Sequence, residues 1–206
     1  MNNLNQTKKY YSREIREGYI DSIKHIVQDY KENYQPYVFN MTLMNPDRNL
    51  TVEDLTDDLN RFYDYLQQKI FRKHDLKKPP QHLRPVLLVF YDIEGSKASG
   101  RYARYQIAES KYKRYRNLHC HGLLLVHRET LANFESLQLN SYYYYHLDIE
   151  KSQHEFPENY IQYMTKLVEQ NFLADLDFVH CRVWKSNIRE TCNHHNLIET
   201  INKEPR

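Results

Sequence analysis

An α+β domain, with helices packed on a mostly antiparallel sheet, is the fold class this sequence predicts. Three observations carry it. Windows with apolar residues at helical spacing alternate with short β-prone runs, in the order α-β-α-β-β-α-β-α-β. The two central strand-like runs, 84–94 and 118–127, are joined by a long connection. The 206 residues are 40% hydrophobic, enough for the core of one domain.

The elements follow in order. Ile15, Tyr19, Ile23, Ile26, Val27 and Tyr30 share a helical stripe within 13–32, with Pro36 beyond its end. The run 37–44, YVFNMTLM, reads as a strand closed by Asn45-Pro46. Thr51 and Asp54 form a capping box for a helix over about 52–72, whose apolar positions include Leu55, Leu59, Phe62, Leu66 and Ile70. KKPP at 77–80 is a break before the strand 84–94. A histidine-headed strand at about 118–127 precedes a helix over 128–139. A β-prone run at 142–150, a helix over 157–173 and a last strand at 177–185 complete the pattern. The chain thus divides into a helical N-terminal extension (1–36), a central domain (37–185) and a polar tail (186–206) expected to be loose.

Composition narrows the function classes. With only four glycines, no P-loop and no GxGxxG, ATP hydrolysis by this chain is not expected. Three cysteines make no disulfide framework, and the N-terminus has no apolar signal region. No apolar run approaches a membrane span, so a cytoplasmic protein is the expectation. The net charge of +2 means that nucleic-acid affinity must come from local clustering. Such a cluster exists in 95–117, where Lys97, Arg101, Arg104, Lys111, Lys113, Arg114 and Arg116 interleave with tyrosines that include Tyr112 and Tyr115. Cations can track phosphates there while rings stack on bases, and a solvated loop is the plain alternative.

Three stations carry chemistry. His119 and His121 stand at i and i+2 of a strand, which puts both imidazoles on one face, about 7 Å apart along the chain, and turns Cys120 to the other. Asp92 and Glu94 share the same spacing at the end of the preceding strand. If the two strands are neighbours, two imidazoles and a carboxylate can bind a divalent ion, Mg²⁺ or Mn²⁺ rather than a closed zinc site. Tyr160, Tyr163 and Lys166 are spaced three apart on a helix and share a face. A lysine beside a tyrosine can stabilise phenolate or phosphate charge. Each station also has a structural reading, as packing or solvated residues.

In this order the stations resemble the HUH endonucleases, which include rolling-circle replication initiators, relaxases and single-strand transposases. FNMTLM (39–44), with Thr42, is similar to the first motif. NLHCHGLLLV is similar to the His-hydrophobic-His motif, and YMTK (163–166) to the Tyr-x-x-Lys motif. The likeness spans about 37–185. It implies a nuclease fold of ferredoxin-like or RRM-like type, with His119 and His121 as metal ligands. It implies Glu94 as third ligand with Asp92 as runner-up, Tyr163 as nucleophile, Lys166 beside it, and Tyr160 as a possible second nucleophile. Thr42 and the basic segment fall among the DNA-contacting residues. The implied activity is a metal-dependent nick in single-stranded DNA at a replication origin through a 5′-phosphotyrosine link. A separate helicase and a host polymerase would do the rest of the work on a plasmid, phage or virus. Tyr163 lies downstream of the histidines, unlike the usual relaxase order, so a single-strand transposase is the nearer alternative. A non-catalytic module holding zinc through His119, His121, Cys181, Cys192, His194 and His195 is the rival from another class; a silent nucleic-acid-binding protein is a further one.

Overall fold

The computed structural model describes residues 2–45, 48–71, 80–92, 115–116, 118–152, 158–166, 181–185, 188–193 and 195–203. Helix α1 (Asn2–Tyr30) leads into β1 (Tyr34–Leu43), then the short β2 (Asn49–Leu50) and α2 (Val52–Phe71). A 3-10 turn (Gln81–Leu83) precedes β3 (Val86–Asp92), and the two-residue β4 (Tyr115–Arg116) precedes β5 (His119–His127). A second 3-10 turn (Arg128–Thr130) runs into α3 (Leu131–Glu135), followed by β6 (Ser141–Tyr142), β7 (Tyr145–Lys151) and α4 (Glu158–Met164). Strands β8 (Cys181–Lys185) and β9 (Ile188–Cys192) and helix α5 (Leu197–Asn202) complete the described chain.

Seven strands form one antiparallel sheet in the order β6-β7-β1-β5-β3-β8-β9; β2 and β4 pair separately. Strand β5 is central, with Gly122 opposite Phe39 on one side and Val89 on the other. That position explains its unbroken apolar run Leu123–Val126, since both faces are covered. Alternation sends Leu124 and Val126 toward α2 and α3, and Leu123 and Leu125 toward α1, α4 and α5. The result is an α+β fold with helices on both faces of the sheet.

Helix α2 closes the first layer with Leu55, Leu59, Phe62, Leu66 and Ile70 fully buried. Each such side chain contributes roughly 1.5–3 kcal/mol on leaving water. Its capping box is formed: Asp54 N–H donates to Thr51 Oγ1 at 3.0 Å, and Thr51 N–H donates to Asp54 Oδ2 at 2.9 Å. Helix α1 closes the second layer with Tyr19, Ile23, Ile26 and Val27. No helix among the described residues is long and apolar enough to cross a membrane.

Several element expectations differ from the structure. The strand read as 37–44 begins earlier, at Tyr34, so Pro36, beyond the end of α1, lies inside β1 opposite Leu125. Its carbonyl accepts from Ser152 N–H just past the end of β7, so its missing N–H falls at a ladder terminus. The helix expected over 128–139 shrinks to a 3-10 turn and a five-residue α3. The tyrosine run becomes a hairpin: Tyr142 and Tyr145 pair, and Tyr143 takes a positive φ of 50° at the turn. The described residues of the tail, 188–193 and 195–203, are not loose, because β9 extends the sheet and α5 buries Leu197 and Ile201.

Candidate metal centre

The site is built by alternation and register. His119 and His121 face the α1/α4 side of β5, and Cys120 is buried in the opposite layer. Strand β3 pairs antiparallel with β5 so that its last residue, Asp92, lies opposite His119. Asp92 continues the Leu88–Phe90 face and therefore projects beside both imidazoles. The histidine rings stand 5.0 Å apart at 90°. Asp92 Oδ2 is 3.2 Å from His121 Nε2 and 3.7 Å from His119 Nε2.

Helix α4 brings the third station over this pair. Ile161 and Met164 anchor it in the second layer. Helix α1 ties it down from outside, with Arg16 Nη2 donating to Gln162 O at 2.9 Å and Lys24 pairing with Glu158 at 2.7 Å. Tyr163 then lies on the open side: its ring is 4.7 Å from the His121 ring, and it is 36% exposed. Lys166 Nζ sits 4.0 Å above the Tyr163 ring and 2.8 Å from Asp92 Oδ2.

Asp92 is only 2% exposed. Burial acts to raise its pKa, but the His121 hydrogen bond, the His119 charge and Lys166 together outweigh it and hold the carboxyl well below its usual range. A buried carboxylate is tolerated here because cationic or donor groups converge on one oxygen.

The ligand atoms of Asp92, His119 and His121 lie within 4.8 Å of one another, the one His/Cys/Asp/Glu group of three or more found among the described residues. Two imidazole nitrogens and a carboxylate oxygen, open toward Tyr163, suit a divalent cation. This group could hold a metal ion. The carboxylate brought to the histidines is Asp92; Glu94 lies outside the described residues. So do Lys97, Arg101, Arg104, Lys111, Tyr112, Lys113 and Arg114, while Tyr115 and Arg116 contribute backbone to β4. The cysteine–histidine zinc cluster does not assemble among the described residues. Cys181 and Cys192 pair across β8 and β9 under α1, His195 is exposed, and His194 lies outside them.

Tyr160 and Tyr163 part company. The Tyr160 hydroxyl is buried against the sheet, 2.9 Å from Phe39 O and 2.8 Å from Asn40 Oδ1, and it accepts from Gly122 N–H at 3.2 Å. Burial drives its pKa far above the ordinary tyrosine value. It is a poor candidate for a second nucleophile, because its oxygen is committed inside the fold. Thr42 lies on the same β1 face as Asn40, half-buried and opposite His146.

Two residues that sequence reasoning missed belong to the site. Asn40 stands opposite His121 on β1, and Asp148 stands opposite Asn40 on β7. The signal for Asn40 was available: a polar residue two positions before Thr42 on one face of an otherwise apolar strand. Asp148 carried none, because only the β1–β7 register brings it close. Against models of known families, curated proteins and solved structures alike, the chain finds no match.

Proposed function

We propose that this protein is a divalent-metal-dependent endonuclease that nicks and rejoins single-stranded DNA through Tyr163, as a rolling-circle replication initiator does. The observation that supports it is the convergence of His119, His121 and Asp92 beneath a half-exposed tyrosine with a lysine at its face. The chain order of these residues, histidine strand before tyrosine helix, is the order of the resemblance drawn from sequence.

His119, His121 and Asp92 would hold Mg²⁺ or Mn²⁺, which when bound supplies Lewis-acid polarisation of the scissile phosphate. Tyr163 Oη attacks phosphorus and loses its proton; an Oη–P bond forms and the P–O3′ bond breaks. The departing 3′ oxygen takes up a proton and becomes a free hydroxyl. Lys166 stabilises charge on the phenolate and phosphate. The ester retains the bond energy, so rejoining needs no ATP. The basic segment 97–116 would hold the strand.

The test is incubation of the full chain with labelled single-stranded oligonucleotides and Mn²⁺. A covalent adduct on Tyr163 is expected. It should vanish in Tyr163→Phe, in His119→Ala, in His121→Ala and in excess chelator, while Tyr160→Phe retains it. Mass spectrometry of the adduct peptide locates the nucleotide. Cleavage without any tyrosine adduct, or full activity in chelator, would overturn the reading.

A further inference from the structure

We infer that Asn40, oriented by Asp148, sets the tautomer of His121 and so aims its Nε2 lone pair into the metal centre. This rests on the metal-centre reading above and adds positioning residues to it. Asn40 Nδ2 donates to Asp148 Oδ2 at 3.1 Å. An ionised carboxylate only accepts, so the amide NH₂ must face Asp148 and the amide oxygen must face the other way. That oxygen is 2.6 Å from His121 Nδ1. An amide oxygen only accepts, so Nδ1 carries the hydrogen.

The consequence falls at the opposite edge of the ring. With Nδ1–H committed, the neutral imidazole has its lone pair on Nε2, which lies 3.2 Å from Asp92 Oδ2. When the ring carries both protons Nε2–H donates to Asp92; in the neutral ring two acceptors face one another, an arrangement that a shared cation resolves. In the other tautomer, Nε2–H would simply donate to Asp92, and His121 would offer no electron pair to an ion. Asn40 and Asp148 therefore decide between a hydrogen-bonded His–Asp pair and a pair of metal ligands. Tyr160 supports the same geometry, with its hydroxyl 2.8 Å from Asn40 Oδ1 and the Gly122 N–H donating to it. Flipping the Asn40 amide would turn its oxygen against the Asp148 carboxylate, so Asp148 is the residue that excludes the alternative.

The inference is tested on the full ¹⁵N-labelled chain, metal-free and without DNA, by two-bond proton–nitrogen correlation of the His121 ring. The neutral wild-type ring should show the Nδ1–H pattern. Asn40→Ala and Asp148→Ala should shift it toward Nε2–H or a mixture. Mn²⁺ affinity, read by titration calorimetry, should fall by roughly 10–100-fold in Asn40→Ala. The exchanged pair Asn40→Asp with Asp148→Asn reverses the 40–148 hydrogen bond but keeps an acceptor oxygen at His121 Nδ1, and should recover both readouts, a rescue that a merely structural role does not give. The backbone amide spectrum verifies the fold of each variant. An Nε2–H pattern in the wild type overturns the inference even if nicking is found, as does an unchanged pattern in both alanine variants. Because the tautomer is read without metal or DNA, a failure to nick leaves it standing and counts only against the nuclease reading.

Discussion

Asp92 Oδ2 is the atom on which the charges of the site meet. Lys166 and any ion held by the two histidines share that one oxygen, so they compete by like-charge repulsion. Lys166→Met should therefore bind Mn²⁺ several-fold more tightly by calorimetry, and under the proposed nuclease function it should form the DNA adduct more slowly. Weaker binding in that variant would mean that Lys166 supports the ion site instead of opposing it. Gly122 shows a different constraint, close approach. A Cβ there would lie 2.2 Å from Leu88 O, a backbone atom that cannot swing aside. Gly122→Ala should lower stability by about 1–3 kcal/mol or more, seen as an earlier urea midpoint with an unchanged slope. A midpoint equal to wild type would show that the β3–β5 pair can spread.

At the scale of elements, the hairpin joining β6 and β7 carries a local cost. Tyr143 holds a φ of 50°, a region that suits glycine, and its side chain is 76% exposed. Tyr143→Gly should remove strain while losing the edge-on contact of its ring with Tyr142 (centroids 4.6 Å), and stabilise the protein by at most about 1 kcal/mol. Thermal melting tests this; an unchanged or lower Tm would show that the exposed ring has contacts worth the strain. Helix α4 has the opposite character. It is a seven-residue helix, and its placement over the histidines depends on α1 through Ile161, Met164, Arg16 and Lys24. Ile23, fully buried in that same layer, joins the α1 contact to the sheet. Ile23→Ala should cost roughly 2–5 kcal/mol.

The whole molecule is rich in tyrosine, with 19 in the chain, and burial decides how it responds to alkali. Tyr19, Tyr91, Tyr145 and Tyr160 all have pKa values raised chiefly by burial, and Tyr34 is pushed up to about 12. A raised value favours the protonated, folded form. This stabilisation is fully present below the ordinary tyrosine value near 10 and is lost as pH rises through the folded values. Asp92 has the reverse sign, since its depressed pKa gives stability that is present above the ordinary carboxyl value and lost as pH falls below it. Urea midpoints should therefore hold between about pH 6 and about pH 9 and fall by about pH 11. A midpoint unchanged at the alkaline end would mean that these tyrosines ionise without unfolding the core.

What the sequence determined by itself was whatever depends on neighbours along the chain. Alternation over residues 119–126 set which side chains of β5 share a face, and Thr51 with Asp54 set where α2 begins. The antiparallel α+β class followed from the same short-range periods. The tertiary structure decided everything that depends on register between distant strands. Asp92 stands opposite His119 because β3 slides to that position along β5, a choice made by the packing of Leu88 and Phe90. Asn40 and Asp148 meet because β1 lies between β5 and β7, although 108 residues separate them in the chain. The rotation of α4 about its buried Ile161 and Met164 sent the Tyr160 oxygen into the sheet and left Tyr163 at the opening. The polar tail read as loose because its apolar residues are few; they find their faces only against α1 and β8, already in place. Such choices rest on contacts whose partners are far apart in sequence, and no local period records them.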